Sequence, residues 1–354
     1  MSESVRRTPL AELGGKRQHV AKQKEPTVRE IADRVGVSVA TVSRVARGVG
    51  QVSPQMRQRV LEAIKRYNYR PRHPGRASDP RPHAALGVVV PGRAGPYYTE
   101  VIAGFEDEAV TAHLSMEVLG THLLRDSPDL ALDMADRVDG IAVMGGAVSG
   151  EAYEAIADRC EHIVRFAAPP AAGVPTVRTQ SRHAFERLSA HLIGAHGHRR
   201  LAFVGNPFGS PDVFARWEGF RAAHGAAGLA EPARPLELGL AQHDGILAAN
   251  HLLGLDPRPT AIACANDELA VGVLVTALSA GLRVPDDLAI TGFDDIPMAA
   301  ITNPALTTIH QPLRELGAQT ARVLRRHIAG DCDADLDLVL DTELVLRASC
   351  GCPH

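Results

Sequence analysis

Arg44 and Arg47, preceded by Ser38, Val39, Ala40, Thr41 and Ser43, are the residue types that read duplex DNA, gathered in one short stretch of chain. A guanidinium fork pairs with a guanine edge, small apolar side chains fit thymine methyls, and hydroxyls hold phosphates. Arg44 is thus the expected base reader. Val39 and Ala40 would pack on base edges, Ser38, Thr41 and Ser43 would hold phosphates, and Thr27 and Arg47 complete the set. A second group, Tyr97, Tyr98, Arg216, Trp217, Asn266 and Asp294, has the chemistry of polyol recognition. Charged and amide groups pair with hydroxyls, and aromatic faces stack on the apolar side of a sugar ring. Each of these residues also has a plainer reading: Asp294 as a helix cap, Arg216 as a surface ion pair, the two tyrosines as packing.

The elements that must position the first group are legible. Thr27 and Glu30 have capping-box spacing, so a helix should begin at Val28, with Val28, Ile31, Ala32 and Val35 on one face. Gly36 should end it in a left-handed conformation. Ser38 should cap a second helix from Val39 to about Arg47, with Val42, Val45 and Ala46 inward and the candidate readers outward. Ser53-Pro54 should open a third helix whose inner face is Val60, Leu61, Ile64 and Tyr67, stopping at Pro71. This is a three-helix helix-turn-helix headpiece. Charge supports the reading. Residues 1–80 hold 17 Lys+Arg against 7 Asp+Glu, whereas the remainder holds 21 against 34. A basic module on an acidic body gains from counterion release at phosphates while the body resists random adhesion to DNA.

The runs GVSVATVSRV (36–45) and QVSPQMRQRVLEAIKRYNYRP (51–71) resemble the headpiece of the lactose-repressor/galactose-repressor (LacI/GalR) family of bacterial transcription regulators. Further runs extend the resemblance along the chain: LGVVVP (86–91), VDGIAV (138–143), GHRRLAFVG (197–205), RWEGF (216–220), AND (265–267), GFDDIP (292–297) and PALTTIHQP (304–312). The resemblance implies a homodimer on a near-palindromic operator in double-stranded DNA. It also implies a periplasmic-binding-protein-like core with a small-molecule effector, a sugar by the chemistry above, between two subdomains. The positions matching Arg216, Asn266 and Asp294 contact the effector in family members.

The residues of the body support that core on their own. Short apolar runs, ALGVVV (85–90), MEVLG, DGIAVMG, HIVRF, RLAFVG, TAIACA and LAITGF, alternate with helical segments near 99–113, 183–195, 214–227, 243–253 and 267–280. Such alternation predicts parallel sheets covered on both faces, here two doubly wound α/β subdomains, with ligands beyond the carboxyl ends of the strands. The expected division is a basic arm over 1–26, the headpiece over 27–71, a linker over 72–84 and the core over 85–354. Subdomain 1 should take 85–178 and 310–329, and subdomain 2 should take 179–309 and 330–354, with the chain crossing near 179, 309 and 330.

Two features depart from the family pattern. The linker places Pro74, Gly75 and Ser78 where relatives carry a hinge helix with a Leu wedge, and a hydroxyl cannot unstack a base step as that Leu does. Gln180 stands at an often acidic position, and HIVRFAAPP lacks the usual Asp-Arg, so the sugar class is not inherited. Leu240 and Gln242 are further pocket candidates. Five cysteines without framework spacing suit a reducing compartment. Cys350, Cys352 and His354 are too few ligands for a metal, so reduced tail thiols, no metal and no cofactor are expected. Neither a phosphate-cradling glycine loop nor a nucleophile elbow occurs, which disfavours the rival reading of a helix-turn-helix-tethered sugar-modifying enzyme. With no apolar run of membrane-spanning length and no signal peptide, a cytoplasmic protein is expected.

Overall fold

The computed structural model describes residues 28–46, 52–67, 85–92, 95–121 and 129–353. The basic arm, Thr27, Arg47 and the 72–84 linker, with Pro74, Gly75 and Ser78, lie outside the described residues. Two compact units emerge, Met1–Arg81 and Pro82–His354.

In the first unit, α1 (Val28–Val35), α2 (Val39–Ala46) and α3 (Pro54–Arg66) close around Ile31, Ala32, Val35, Val42, Val45, Val60 and Ala63. Gly36, at φ +72°, ends α1, and its amide and that of Val37 both donate to the Ala32 carbonyl. That left-handed turn is open to glycine without the cost a Cβ brings. Ser38 Oγ accepts from Thr41 N at 3.1 Å to start α2, and Ser53 Oγ accepts from Met56 N at 3.4 Å to start α3. The Arg59 guanidinium donates to the Val35 carbonyl at 2.9 Å, tying α3 to α1. Leu61, expected inside, is 48% exposed. Ala63 takes the inner place, so that Val60, Ala63, Ile64 and Tyr67 form the i, i+3, i+4, i+7 stripe.

The second unit contains two lobes. The first begins with β1 (Ala85–Val90), α4 (Pro96–Thr111), β2 (Ser115–Gly120), α5 (Asp129–Ala135), β3 (Gly140–Met144), α6 (Gly150–Ala157), β4 (Ile163–Phe166) and β5 (Thr176–Thr179). The second follows with α7 (Ser181–Gly194), β6 (Leu201–Val204), α8 (Pro211–Ala226), α9 (Gln242–Leu253), β7 (Ala261–Cys264), α10 (Asp267–Ser279), β8 (Ala289–Thr291), α11 (Pro297–Ile301) and β9 (Thr308–His310). Then come α12 (Leu313–Ile328), β10 (Asp337–Leu340), β11 (Glu343–Val345) and a 3-10 turn, Ala348–Cys350. The first lobe is a six-stranded sheet in the order β10-β5-β4-β3-β1-β2, and the second holds the three-stranded β6-β7-β8; both are parallel throughout. Strands β1, β3 and β7 are buried along their whole length, which is why they read as unbroken apolar runs. Helices α4 and α12 cross so closely that a Cβ on Gly104 would lie 1.8 Å from the Arg314 carbonyl oxygen. No described helix is long and apolar enough to cross a membrane.

The third crossing falls later than expected. The sequence pattern places residues 330–340 in subdomain 2, but β10 pairs in parallel with β5 of the first lobe, and only β11 joins β9 in the second. A bidentate pair holds β10 there, with Arg178 Nε and Nη2 donating to the two Asp337 carboxylate oxygens at 2.8 Å each. Leu336, Leu338 and Leu340 also pack on the first lobe's core.

Candidate functional site

On the headpiece, Ser38 and Val39 are exposed at the start of α2, Val39 by 41%, and Thr41 is half-buried beside them. An apolar side chain so uncovered on a small domain suits contact with base edges. Ser38 Oγ and Thr41 Oγ1 lie 2.9 Å apart, so one of the two O–H hydrogens serves that bond and the other is available to an acceptor such as phosphate. Ala40, Ser43 and Arg44 sit on α2 between these residues and its end, but their side chains lie outside what is described.

In the core, Arg216 and Asp294 meet where the loops after the strands of the second lobe converge. Arg216, on α8, is 4% exposed; its Nη1 donates to the Ala265 carbonyl at 2.7 Å, and its guanidinium lies 4.0 Å above the Phe293 ring. Its Nη2 is 3.8 Å from Asp294 Oδ1 and 3.9 Å from Asp212 Oδ2. Those separations give charge compensation without a hydrogen bond. Asp294 stands at φ +114°, a backbone conformation that costs a non-glycine residue energy and clusters at functional sites. Burial raises the Asp294 pKa to about 7, outweighing the opposing charge of Arg216 and the hydrogen bond from Gln311. Gln311 Nε2 donates to Asp294 Oδ1 at 2.7 Å and its Oε1 accepts from Thr179 Oγ1 at 2.6 Å. Asp294 is therefore tied to both of the first two crossings between the lobes.

The first lobe contributes the start of α4. Tyr97 is buried, and burial first, then the negative charges of Asp212 and Asp294, raise its pKa well above the ordinary phenol value. Tyr98, edge-on to Tyr97 at 5.3 Å, is pushed up to about 12 by burial, then by Asp294 and Glu268. Tyr97 Oη and Arg216 Nε are both buried without a hydrogen-bond partner in the protein, a costly condition that a polar ligand would relieve. Gly146 of the first lobe also faces Pro207, Phe208, Gly209, Ser210, Pro211 and Phe214 of the second across a concavity of 280 Å³, whose lining includes none of the charged or tyrosine side chains above.

Two expected members point elsewhere. Asn266 caps α10, with Oδ1 accepting from Leu269 N at 3.0 Å and Nδ2 donating to the Leu240 carbonyl at 3.0 Å, so its amide is occupied internally. Trp217 lies next to Arg216 in sequence but about 100° round the helix, where it stacks on Phe220, meets Phe203 at a tilt and packs, partly buried, against the second lobe's core. Gln180 donates to Asp341 at 2.8 Å, and Gln242 is the first residue of α9. Asp212, Glu268 and Gln311 were not among the sequence candidates. Asp212 and Glu268 follow the same strand-end rule as Arg216 and could have been found by it; Gln311 has no signal beyond its place in a crossing segment.

Comparison with known proteins extends this picture. Residues 27–72 match the model for bacterial regulatory proteins of the lacI family, and residues 190–350 match a periplasmic binding protein-like domain. Catabolite control protein A of Priestia megaterium is 32% identical over 309 residues, covering 85% of this chain and 92% of that protein. The HTH-type transcriptional repressor PurR of Pasteurella multocida is 29% identical, over 91% of this chain and 98% of its own. Among solved structures, the transcriptional regulator CelR in complex with cellobiose aligns at a TM-score of 0.69 and 27% identity, over 92% of this chain and 99% of its own.

Proposed function

The chain belongs to the lacI family of bacterial regulatory proteins, and on that premise we propose a ligand-switched repressor that blocks transcription from its operator until the effector state changes. It is a DNA-binding transcriptional regulator whose core takes a small-molecule effector, and it acts as a dimer on operator DNA. In this reading α2 enters the major groove. Arg44 reads a guanine edge, Val39 and Ala40 pack on base edges, Ser38, Thr41 and Ser43 hold phosphates, and Thr27 and Arg47 flank the contact. Uncovered apolar side chains on both lobes, Val110, Val118 and Leu130 on the first and Leu247, Val275 and Leu278 on the second, are suitable material for the homodimer contact. DNA binding calls for the cytoplasm, and the relatives are regulators rather than enzymes.

The effector is a hydroxyl-rich small molecule, a sugar, bound between the lobes by Arg216, Asp294, Tyr97 and Tyr98, with Asp212 and Glu268 beside them. The single observation that carries this assignment is the pair of buried, unpartnered donors, Tyr97 Oη and Arg216 Nε, next to a carboxyl poised near neutrality. CelR holds cellobiose, which supports a carbohydrate. Asp294 would transmit the event: engaging a ligand hydroxyl alters its bonds to Gln311 and, through it, Thr179, at two interlobe crossings. The ligand shifts the switch only as far as it binds the closed and open arrangements differently. A thermal-shift screen of sugars, polyols and nucleobases tests this. The expected result is a melting-temperature rise with one carbohydrate class that is lost in Arg216→Ala; a nucleobase as the sole hit would overturn the sugar assignment.

A further inference from the structure

We propose that Cys350, Cys352, His191 and His196 form a tetrahedral zinc site that fastens the C-terminal segment to the end of α7. Among the described residues these four ligand atoms all lie within 4.8 Å of one another. His191 Nε2 is 3.1 Å from His196 Nε2, 3.6 Å from Cys350 Sγ and 3.4 Å from Cys352 Sγ, and Cys352 Sγ is 3.5 Å from His196 Nε2. Zinc bonds of about 2.0–2.1 Å to nitrogen and about 2.3 Å to sulfur span a tetrahedron with edges of about 3.3 Å between nitrogens and about 3.6 Å between nitrogen and sulfur. The four separations given follow those edges, and the other two, from Cys350 Sγ to His196 and to Cys352 Sγ, are within 4.8 Å.

A hydrogen-bond network does not account for the arrangement as well. An imidazole Nε2 offers one lone pair or one hydrogen in the ring plane, and so serves one good partner. His191 Nε2 is approached by three. Three atoms converging on it, each also near the others, is the shape of a coordination shell. Its surroundings are built. Gly351, at φ +103°, turns the chain between the two cysteines, and a Cβ there would lie 3.2 Å from His196 Nδ1. Ser349 Oγ donates to the Ile290 carbonyl at 2.6 Å and accepts from Thr307 N at 2.8 Å, fixing the cysteine segment on β8. Thr307 Oγ1 lies 3.1 Å from Cys350 Sγ, within reach of a thiolate as an outer-shell donor. The ligand set is Cys2His2 with no fifth group assigned, which is the composition of a structural rather than a catalytic zinc. His354 lies outside the described residues and is not needed.

The shortage of ligands inferred from the tail alone is thus made up by the fold, from residues more than 150 positions away. The test is metal analysis of the full chain purified under reducing conditions. About one zinc ion per chain is expected, reduced to background in Cys352→Ser and in His196→Ala and unchanged in Cys332→Ser, whose thiol lies in the first lobe. Should those variants fold poorly, the parent chain decides the matter. Stripped of metal and titrated with Co2+, it should develop the visible bands and thiolate charge-transfer absorption of tetrahedral cobalt. A parent without a tetrahedral cobalt spectrum, zinc content equal in Cys352→Ser and the parent, or a Cys350–Cys352 disulfide in the metal-free isolated protein would each overturn the proposal.

Discussion

At the scale of single residues, Arg44 and Asp294 have the most directly measurable roles. Arg44→Ala should remove most of the preference for operator over random duplex, a loss of about 1–3 kcal/mol of discrimination, read by fluorescence anisotropy on both DNAs. Equal discrimination by variant and parent would unseat Arg44 as the reader. Asp294 leads to a pH prediction. Its pKa is raised in the folded protein from 3.8 to about 7, so its stabilising contribution is complete below about pH 4 and disappears as pH rises through about 7. Denaturant melts should therefore show the core losing stability progressively between about pH 4 and about pH 7 and levelling off above that. The loss should be shallower in Asp294→Asn; burial also raises Asp212 and Asp267, which leaves a residual slope of the same sign. Identical slopes would contradict the raised carboxyl. The strand-end rule picked out Arg216, Asp294, Tyr97 and Tyr98, which the fold brings together. It could not tell that Asn266 turns back to cap its own helix or that Trp217 faces the core, because neighbours on a helix diverge in direction. The four clustered Cys and His side chains were illegible for another reason: their proximity exists only once α7 and the C-terminal turn are packed together.

At the scale of elements, the headpiece helices stand on their caps and the core helices on close crossings. Removing the α3 cap with Ser53→Ala should lower headpiece stability by about 1 kcal/mol, measured by thermal melting followed by far-UV circular dichroism. The α4–α12 crossing is less forgiving. On α12 a Cβ at Gly317 would lie 1.9 Å from the Val101 carbonyl oxygen, as one at Gly104 would against Arg314. Gly104→Ala must force the two backbones apart, and a destabilisation of about 1–3 kcal/mol or more is expected in denaturant melts. An unchanged midpoint would show that the helices do not meet this closely. Long apolar strands were visible in the sequence because burial on both faces leaves no alternation to interpret. TVRT of β5 and DLVL of β10 were not, since four-residue strands with half-exposed charged side chains look like loops. The pairing of β10 with β5 is braced by Arg178 meeting Asp337, a contact between residues 159 apart, and local pattern carries no trace of it.

At the scale of the molecule, the chain divides its charge as it divides its labour. Residues 1–80 are strongly basic and the body is acidic, so affinity for any duplex should fall steeply with added salt while operator preference survives. In the proposed reading, Asp294, linked through Gln311 to Thr179, ties the effector cleft to two of the crossings between the lobes. The most direct test of the central claim is in vitro selection of duplex DNA from a random pool by the full-length protein, followed by titration of the selected site. Enrichment of a near-palindromic site is expected, bound as a dimer and told apart from random DNA markedly less well by Arg44→Ala than by the parent. A pool that shows no sequence enrichment, or a selected site that Arg44→Ala recognises as well as the parent does, would contradict it.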